Sequence, residues 1–287
     1  MSKTPAIFGL LGFPVSHSFS PAMHNAAFKH LNINAEYKLF EKRPEEVEKF
    51  ITSLEKQSIS GLNVTVPYKE KVLDYVKIDN DSFYVRQIKA VNTIVMENGV
   101  RKGFNTDAPG FERDLKEKSG DPKNKKAAIL GAGGASRAVS FVLAKTKVKE
   151  IAIYDIDKNK SKNIVDLIKS LFPGFAIYSV NQIEELKIKE KDLLINATPI
   201  GMKPDDPCLV MEEMLHKKLF VYDVIYNPVK TKLLALAERA GAKTANGLGM
   251  LLYQGVISFE YFTGEKAPID IMQKTLEESL KNAGSRK

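Results

Sequence analysis

Residues 126 to 145, KAAILGAGGASRAVSFVLAK, pass from an apolar run through a glycine turn directly into a helical pattern. Without Cβ atoms at Gly131 and Gly133 the chain can turn tightly. It then presents backbone N–H groups at a helix start, where the dipole favours an anion such as a pyrophosphate. EIAIYD, FAIYSV, DLLINA and LFVYDV follow as short apolar strands with helices expected between them. That alternation demands a parallel sheet covered on both faces, so the chain is expected to contain a doubly wound, Rossmann-type α/β domain that binds a dinucleotide. The turn alone is a weak signal, because the generic fingerprint has Gly or Ala where this chain has Ser136.

The second strand of the series ends in Tyr154-Asp155, about twenty residues beyond the turn, where an acidic side chain meets ribose hydroxyls. A carboxylate accepts hydrogen bonds from a free 2′-hydroxyl and repels a 2′-phosphate. Ile156 and Asp157 offer no guanidinium to offset this, although Lys158 and Lys160 lie close. The cofactor is therefore expected to be NAD(P), with NAD favoured. The competing reading of Asp155 is a plain N-cap of the next helix.

Upstream, AIFGLLG, AEYKLFE, GLNVTV, AVNTIVME and VRKGFN read as strands. The last two flank Asn98-Gly99, a strong two-residue hairpin signal. Helices are expected after Ser20-Pro21, an N-cap followed by an N1 proline, and from Pro44. The polar, turn-rich SGDPKNKK at 119 to 126 precedes the change of pattern. From Gly247 on, two helices are expected without strands of their own, the second from about Ile269. The reading is two α/β domains: 1–107, completed by 247–287, for the substrate, and 108–246 for the dinucleotide. The active site is expected in the cleft between them.

In GLNVTVPYKE, residues 61 to 70, Leu62, Val64 and Val66 alternate with Asn63 and Thr65, giving a strand with one polar face. Pro67 ends it, and Lys69 is expected in the first turn of a helix, where the dipole opposes an ammonium. A lysine there can transfer a proton, and Asp107, just after the hairpin in NTD, is the carboxylate that would support its charge. Local sequence by itself favours a solvated surface lysine. An N-cap role competes for Asp107, and Asn92 reads as readily as an edge polar residue. GFPVSHSFSPAMHN sets Ser16, Ser18 and Ser20 around a turn that feeds a helix. Such hydroxyls suit a carboxylate, while Ser20 as a plain N-cap is the simpler reading. His17 and His24 have no further His or Cys at metal-ligand spacing, so no metal is expected.

The formal charge of +8 raises the question of nucleic acid. The lysines, however, are scattered among Asp and Glu and do not interleave with aromatics, so no nucleic-acid partner is expected, and a small anionic substrate suits the charge. No apolar run approaches the roughly 18 to 20 residues of a membrane span. The apolar stretch near the N-terminus is too short for a secretory leader. Cys208 is the single cysteine. A cytoplasmic location is the expectation.

GFPVSHSFSPAMHN, GLNVTVPYKE, AVNT, GFNTDAPGF, GAGGASRA and NATPIGM, with DVIYNP and GLGMLLYQG, share order and spacing with a known pattern. Over nearly its whole length the chain resembles the shikimate dehydrogenase family. The resemblance implies reversible, NAD(P)-dependent reduction of 3-dehydroshikimate to shikimate on the route to aromatic amino acids. It implies that Lys69 and Asp107 are catalytic and that Ser18 and Ser20 bind the substrate carboxylate. Asn63, Thr65, Asn92 and Gln254 would hold the ring hydroxyls, and Tyr226 would help at the carboxylate end. Gly131, Gly133, Gly134, Ala135 and Ser136 would line the pyrophosphate, with Thr198, Gly247 and Met250 near the nicotinamide. Many members carry Asn-Arg-Thr where this chain has Asp155-Ile156-Asp157, and those members use NADP. The rival readings are an NAD-dependent quinate/shikimate dehydrogenase, a non-catalytic NAD-binding sensor, and an enzyme of an amino-substituted ring. A monomer or homodimer is expected.

Overall fold

The segment AIFGLLG forms β1 (Ala6–Gly12), with its last five residues buried in succession. A strand becomes that apolar when it is flanked on both sides, and β1 runs parallel to both β2 (Ala35–Glu41) and β3 (Ile59–Val64). Between them lie α1 (Ser20–His30) and α2 (Val47–Thr52). After a short 3₁₀ helix (Lys71–Tyr75) and α3 (Phe83–Ile88) come β4 (Thr93–Glu97) and β5 (Val100–Phe104). These pair antiparallel, so the five-stranded sheet has the order β2-β1-β3-β4-β5. Asn98 and Gly99 have φ of 50° and 76°, the left-handed pair that a two-residue hairpin loop requires.

Helix α4 (Asp107–Ser119) leads to the second sheet. There β6 (Lys126–Leu130), α5 (Gly134–Lys145), β7 (Glu150–Tyr154), α6 (Lys158–Leu171) and β8 (Ile177–Val180) alternate as expected. They are followed by β9 (Leu193–Asn196), β10 (Phe220–Asp223), α7 (Lys232–Arg239) and β11 (Lys243–Asn246). All six strands are parallel, in the order β11-β10-β9-β6-β7-β8. The strand order reverses between β6 and β9, the position at which doubly wound sheets bind ligands. Every residue of β9 and β10 is buried, and each aliphatic side chain so placed contributes roughly 1.5–3 kcal/mol. Two further helices, α8 (Leu248–Thr263) and α9 (Ile269–Gly284), close the chain.

The computed structural model describes residues 4–284. By Cα packing the chain divides into one unit of Met1–Gly110 with Leu252–Lys287, and another of Phe111–Leu251. Both boundaries therefore fall inside helices, α4 and α8, a few residues beyond the turns where sequence placed them. In the first unit α9 packs on α1, Phe262 of α8 stacks on Phe8 at 4.8 Å, and Phe259 lies 5.3 Å from Phe28.

Several local expectations are corrected. The strand β3 stops at Val64 rather than Val66. Lys69 is not in the first turn of a helix; it sits in the turn before the 3₁₀ segment. The links from β8 to β9 and from β9 to β10 contain only short 3₁₀ turns, Ile183–Leu186, Ile188–Glu190 and Glu212–Met214. Pro199, Gly201, Pro204 and Pro207 interrupt any helix in the second of these links. Strand β11 and helix α3 were not expected, being only four and six residues long.

Candidate active site

In the first unit Lys69 Nζ donates to Asp107 Oδ2 at 2.6 Å, with the two side chains 13% and 7% exposed. The pair is mostly dry yet still open to a small molecule. The dipole argument reverses once the elements are known. Only a five-residue 3₁₀ helix follows Lys69, whereas Asp107 is the first residue of a thirteen-residue α-helix, whose start favours an anion. Asp107 is not spent as a cap, because Asn105 Oδ1 accepts the Ala108 N–H at 3.2 Å. Its Oδ1 instead accepts from Asn92 Nδ2 at 2.9 Å. The backbone ties the three segments together: Val91 N–H donates to the Lys69 carbonyl at 2.7 Å, and Asn92 N–H to that of Phe104 at 3.0 Å.

Ser18 and Ser20 lie within hydrogen-bond reach of each other at 3.2 Å, and the Ser18 hydroxyl accepts the Ser20 N–H at the same distance. The expected N-cap is corrected here. Ser20 is the first residue of α1, the preceding Phe19 supplies no side-chain cap, and Ser18 takes the N–H instead. Thr65 is half-buried at the end of the β3 segment, its N–H donating to Leu11. Gln254 is buried on α8, where Gly110 of α4 approaches so closely that a Cβ would lie 2.7 Å from the Gln254 nitrogen.

Asn63 differs from its expected role facing a ligand. It is 4% exposed, its Oδ1 accepts from the Tyr37 hydroxyl at 2.7 Å, and its Nδ2 donates to Ser258 at 2.8 Å and Thr93 at 3.1 Å. Its amide is committed to protein partners beneath the Lys69–Asp107 pair. Tyr37, Thr93, Thr106 and Ser258 escaped sequence reasoning, although Ser258 lies one helical turn beyond Gln254 and so on the same face.

The second unit carries the dinucleotide signature. Gly131 has φ of 95°, and a Cβ there would stand 2.8 Å from Thr198 Cγ2 and 3.0 Å from the Ala197 carbonyl. Gly133, flanking α5, is exposed, and a Cβ built on it meets nothing within 4 Å. The space over the helix start is thus open, with the N–H groups of Gly134, Ala135 and Ser136 in the first turn, which fits a pyrophosphate. The Ser136 side chain does not line that space. It is fully buried, its hydroxyl without a hydrogen-bond partner among the described residues, so only its backbone can serve an anion.

Asp155 Oδ2 accepts the Ala132 N–H at 2.6 Å and Oδ1 accepts that of Asp157 at 2.7 Å, which fixes the carboxylate against the glycine turn. The cap of α6 is Asp157, which accepts from Asn159 N–H, so the capping alternative for Asp155 falls away. Ile156 between them is 92% exposed. Thr198 gives its hydroxyl proton to Asn196 Oδ1 at 2.7 Å, and Asn196 Nδ2 in turn donates to Asp223 at 3.0 Å. Asp223 also accepts from Thr231 at 2.7 Å, and burial pushes its carboxyl up to about 6. This buried cluster orders the loops that carry Thr198 and the half-buried Tyr226. Gly247 packs so tightly that a Cβ would reach 2.0 Å from the Val224 carbonyl oxygen, and Met250 is 7% exposed.

Two stretches match family models. Residues 10–94 match the shikimate dehydrogenase substrate binding domain, and residues 247–277 the shikimate 5′-dehydrogenase C-terminal domain. A shikimate dehydrogenase (NADP(+)) of Methanopyrus kandleri is 43% identical over 281 residues, 96% of either chain. The chain belongs to the shikimate dehydrogenase family. Solved members agree in fold. A shikimate dehydrogenase crystallised with NADP+ superposes with a TM-score of 0.88 at 39% identity, covering 97% of this chain and 96% of that one. The shikimate 5-dehydrogenase of Listeria monocytogenes, crystallised with shikimate and NAD, gives a TM-score of 0.84 at 35% identity, covering 96% and 99%. Among the described residues no helix is long and apolar enough to cross a membrane.

Proposed function

We propose that the chain catalyses the reversible reduction of 3-dehydroshikimate to shikimate with a nicotinamide dinucleotide, as an oxidoreductase of aromatic amino acid biosynthesis. The observation that carries the mechanism is the 2.6 Å contact between Lys69 Nζ and Asp107 Oδ2. When bound, the nicotinamide supplies or accepts the hydride. Lys69 then gives the developing alkoxide its proton, or takes it in the reverse direction, and Asp107 holds the ammonium in line. The Ser18 and Ser20 hydroxyls hold the ring carboxylate, and Thr65, Asn92 and Gln254 orient the ring. Asn63 is assigned to positioning rather than contact, because its amide is committed inside the protein. Tyr226 completes the carboxylate end. The unit containing Lys69 is the substrate domain and the one containing Gly131 the dinucleotide domain. Gly131, Gly133, Gly134, Ala135 and Ser136 hold the pyrophosphate, Asp155 the ribose, and Thr198, Gly247 and Met250 the nicotinamide side.

Asp155 favours a second, narrower reading of the cofactor: preference for NAD over NADP, the rival in which quinate is also a substrate being the NAD-dependent one. Its carboxylate is held at the turn, and the next two residues, Ile156 and Asp157, supply no guanidinium for a 2′-phosphate. A two-by-two comparison of shikimate and quinate against NAD and NADP tests both readings. Lys69→Ala is expected to lower kcat by roughly 10²- to 10⁴-fold, and near-normal turnover would defeat the proton-transfer assignment.

A further inference from the structure

The polar groups beneath Lys69 and Asp107 outnumber what proton transfer requires. Asn63, Asn92, Thr93, Thr106 and Ser258 are each at most 4% exposed. Burial of such groups is costly unless their hydrogen bonds are made in full. Here they are, and they point one way.

Two backbone contacts fix the orientation of both amides. Asn63 Nδ2 donates to the Asn92 carbonyl at 3.3 Å, so its Oδ1 faces the Tyr37 hydroxyl, which donates to it at 2.7 Å. Asn92 Oδ1 accepts the Thr106 N–H at 2.7 Å, so its Nδ2 is turned to Asp107. The rest follows from proton counting. The chain begins at the Tyr37 hydroxyl, whose proton is committed to Asn63. Asn63 donates onward to Ser258 and Thr93, and Thr93 donates to Asn92 Oδ1 at 3.1 Å. Asn92 ends the chain on Asp107 Oδ1 at 2.9 Å. Ser258 braces it from α8: its proton goes to the Gln254 carbonyl at 2.8 Å, and its oxygen faces the Thr106 hydroxyl at 3.1 Å.

We propose that this buried chain, running from Tyr37 to Asp107, is a positioning device in which Asn63, Ser258 and Thr93 hold Asn92 against Asp107. The orientation of the Asp107 carboxylate, and with it that of Lys69, is then set by the protein before substrate arrives. Such preorganisation matters because misplacement of a reacting group by about 1 Å can cost 10²-fold in rate. The inference rests on the roles given above to Lys69 and Asp107.

Steady-state kinetics on the full chain test it. Ser258→Ala is expected to lower kcat about tenfold with KM for the ring acid kept within about twofold. Because Ser258 acts through Asn92, adding Ser258→Ala to Asn92→Ala is expected to cost no further kcat; multiplication of the two losses would overturn the proposal. Thr93→Val is expected to show the same kcat loss, and it carries the test if circular dichroism finds Ser258→Ala unfolded. Lys69→Ala, measured alongside, separates the two claims. Near-normal kcat there defeats the assignment of the pair itself. Loss there combined with normal kcat in both Ser258→Ala and Thr93→Val defeats only the positioning chain.

Discussion

His24 offers a sharp test of how the first unit holds its interior. It lies on α1, fully buried, with its ring stacked on Tyr37 at 4.4 Å and 3°, and neither nitrogen has a hydrogen-bond partner among the described residues. Burial disfavours the imidazolium and lowers the group from 6.5 to about 3. Above pH 6.5 the ring is neutral whether the chain is folded or not, and the effect on stability is nil. Between 6.5 and about 3 only the unfolded chain takes up the proton, so stability falls as pH falls. By pH 5 this residue alone removes about 2 kcal/mol, and near pH 3 roughly 4 kcal/mol. Other groups titrate over the same range, so the comparison must be differential. Urea unfolding followed by circular dichroism, at pH 8 and pH 5, is measured for the native chain and for His24→Leu, which is apolar and of similar bulk. The native chain is expected to lose about 2 kcal/mol more than the variant between the two pH values. Parallel losses, or an NMR titration of the folded imidazole near 6.5, would refute the reasoning.

Gly133→Ala is expected to leave stability unchanged, since φ is −84° and the new Cβ meets nothing within 4 Å, while raising KM for the dinucleotide. An unchanged KM would remove Gly133 from the pyrophosphate site. Gly110→Ala is expected to cost about 1–3 kcal/mol in a thermal or urea melt, because its Cβ would fall 2.7 Å from a backbone nitrogen that has no flexible end to move aside. Equal stability would mean that α4 and α8 can separate there freely. Ser18→Ala with Ser20→Ala is expected to act chiefly on KM for the ring acid, and an unchanged KM in the double variant would exclude the carboxylate contact.

The fold was legible where local pattern and tertiary environment agree. Strands β6, β7, β9 and β10 carry continuous apolar stretches because a parallel sheet covered on both faces buries successive residues. The hairpin was legible because Asn98-Gly99 tolerates a conformation that few pairs do. Helices after β8 and β9 were expected from the α/β habit alone, and there the chain uses 3₁₀ turns. Leu186 and Ile188 both bury at a spacing of two, which no α-helix face provides. Lys69 was misplaced for a related reason: a turn leading into a 3₁₀ segment and the first turn of an α-helix begin alike in sequence.

The candidate site was legible at Lys69, Asp107, Ser18 and Ser20, because these sit in segments short enough to recognise as motifs. Its interior was not, since a polar residue in a strand or helix is normally taken to face water. Thr93 follows Asn92 at the start of β4, and Ser258 sits among apolar neighbours on α8, so periodicity gives neither any ligand or partner. Each becomes explicable only when the sheet and helix converge and every donor can be assigned an acceptor. The arrangement then has a physical rationale that single positions lack. An apolar core around Asn92 would not suffer the desolvation of the other four polar side chains, yet it would leave only the Thr106 N–H to hold the Asn92 oxygen away from Asp107. Rotation of that amide would set two acceptors against each other at Asp107 Oδ1, on the carboxylate whose Oδ2 holds Lys69, so the polar interior trades core burial for one permitted orientation of Asn92.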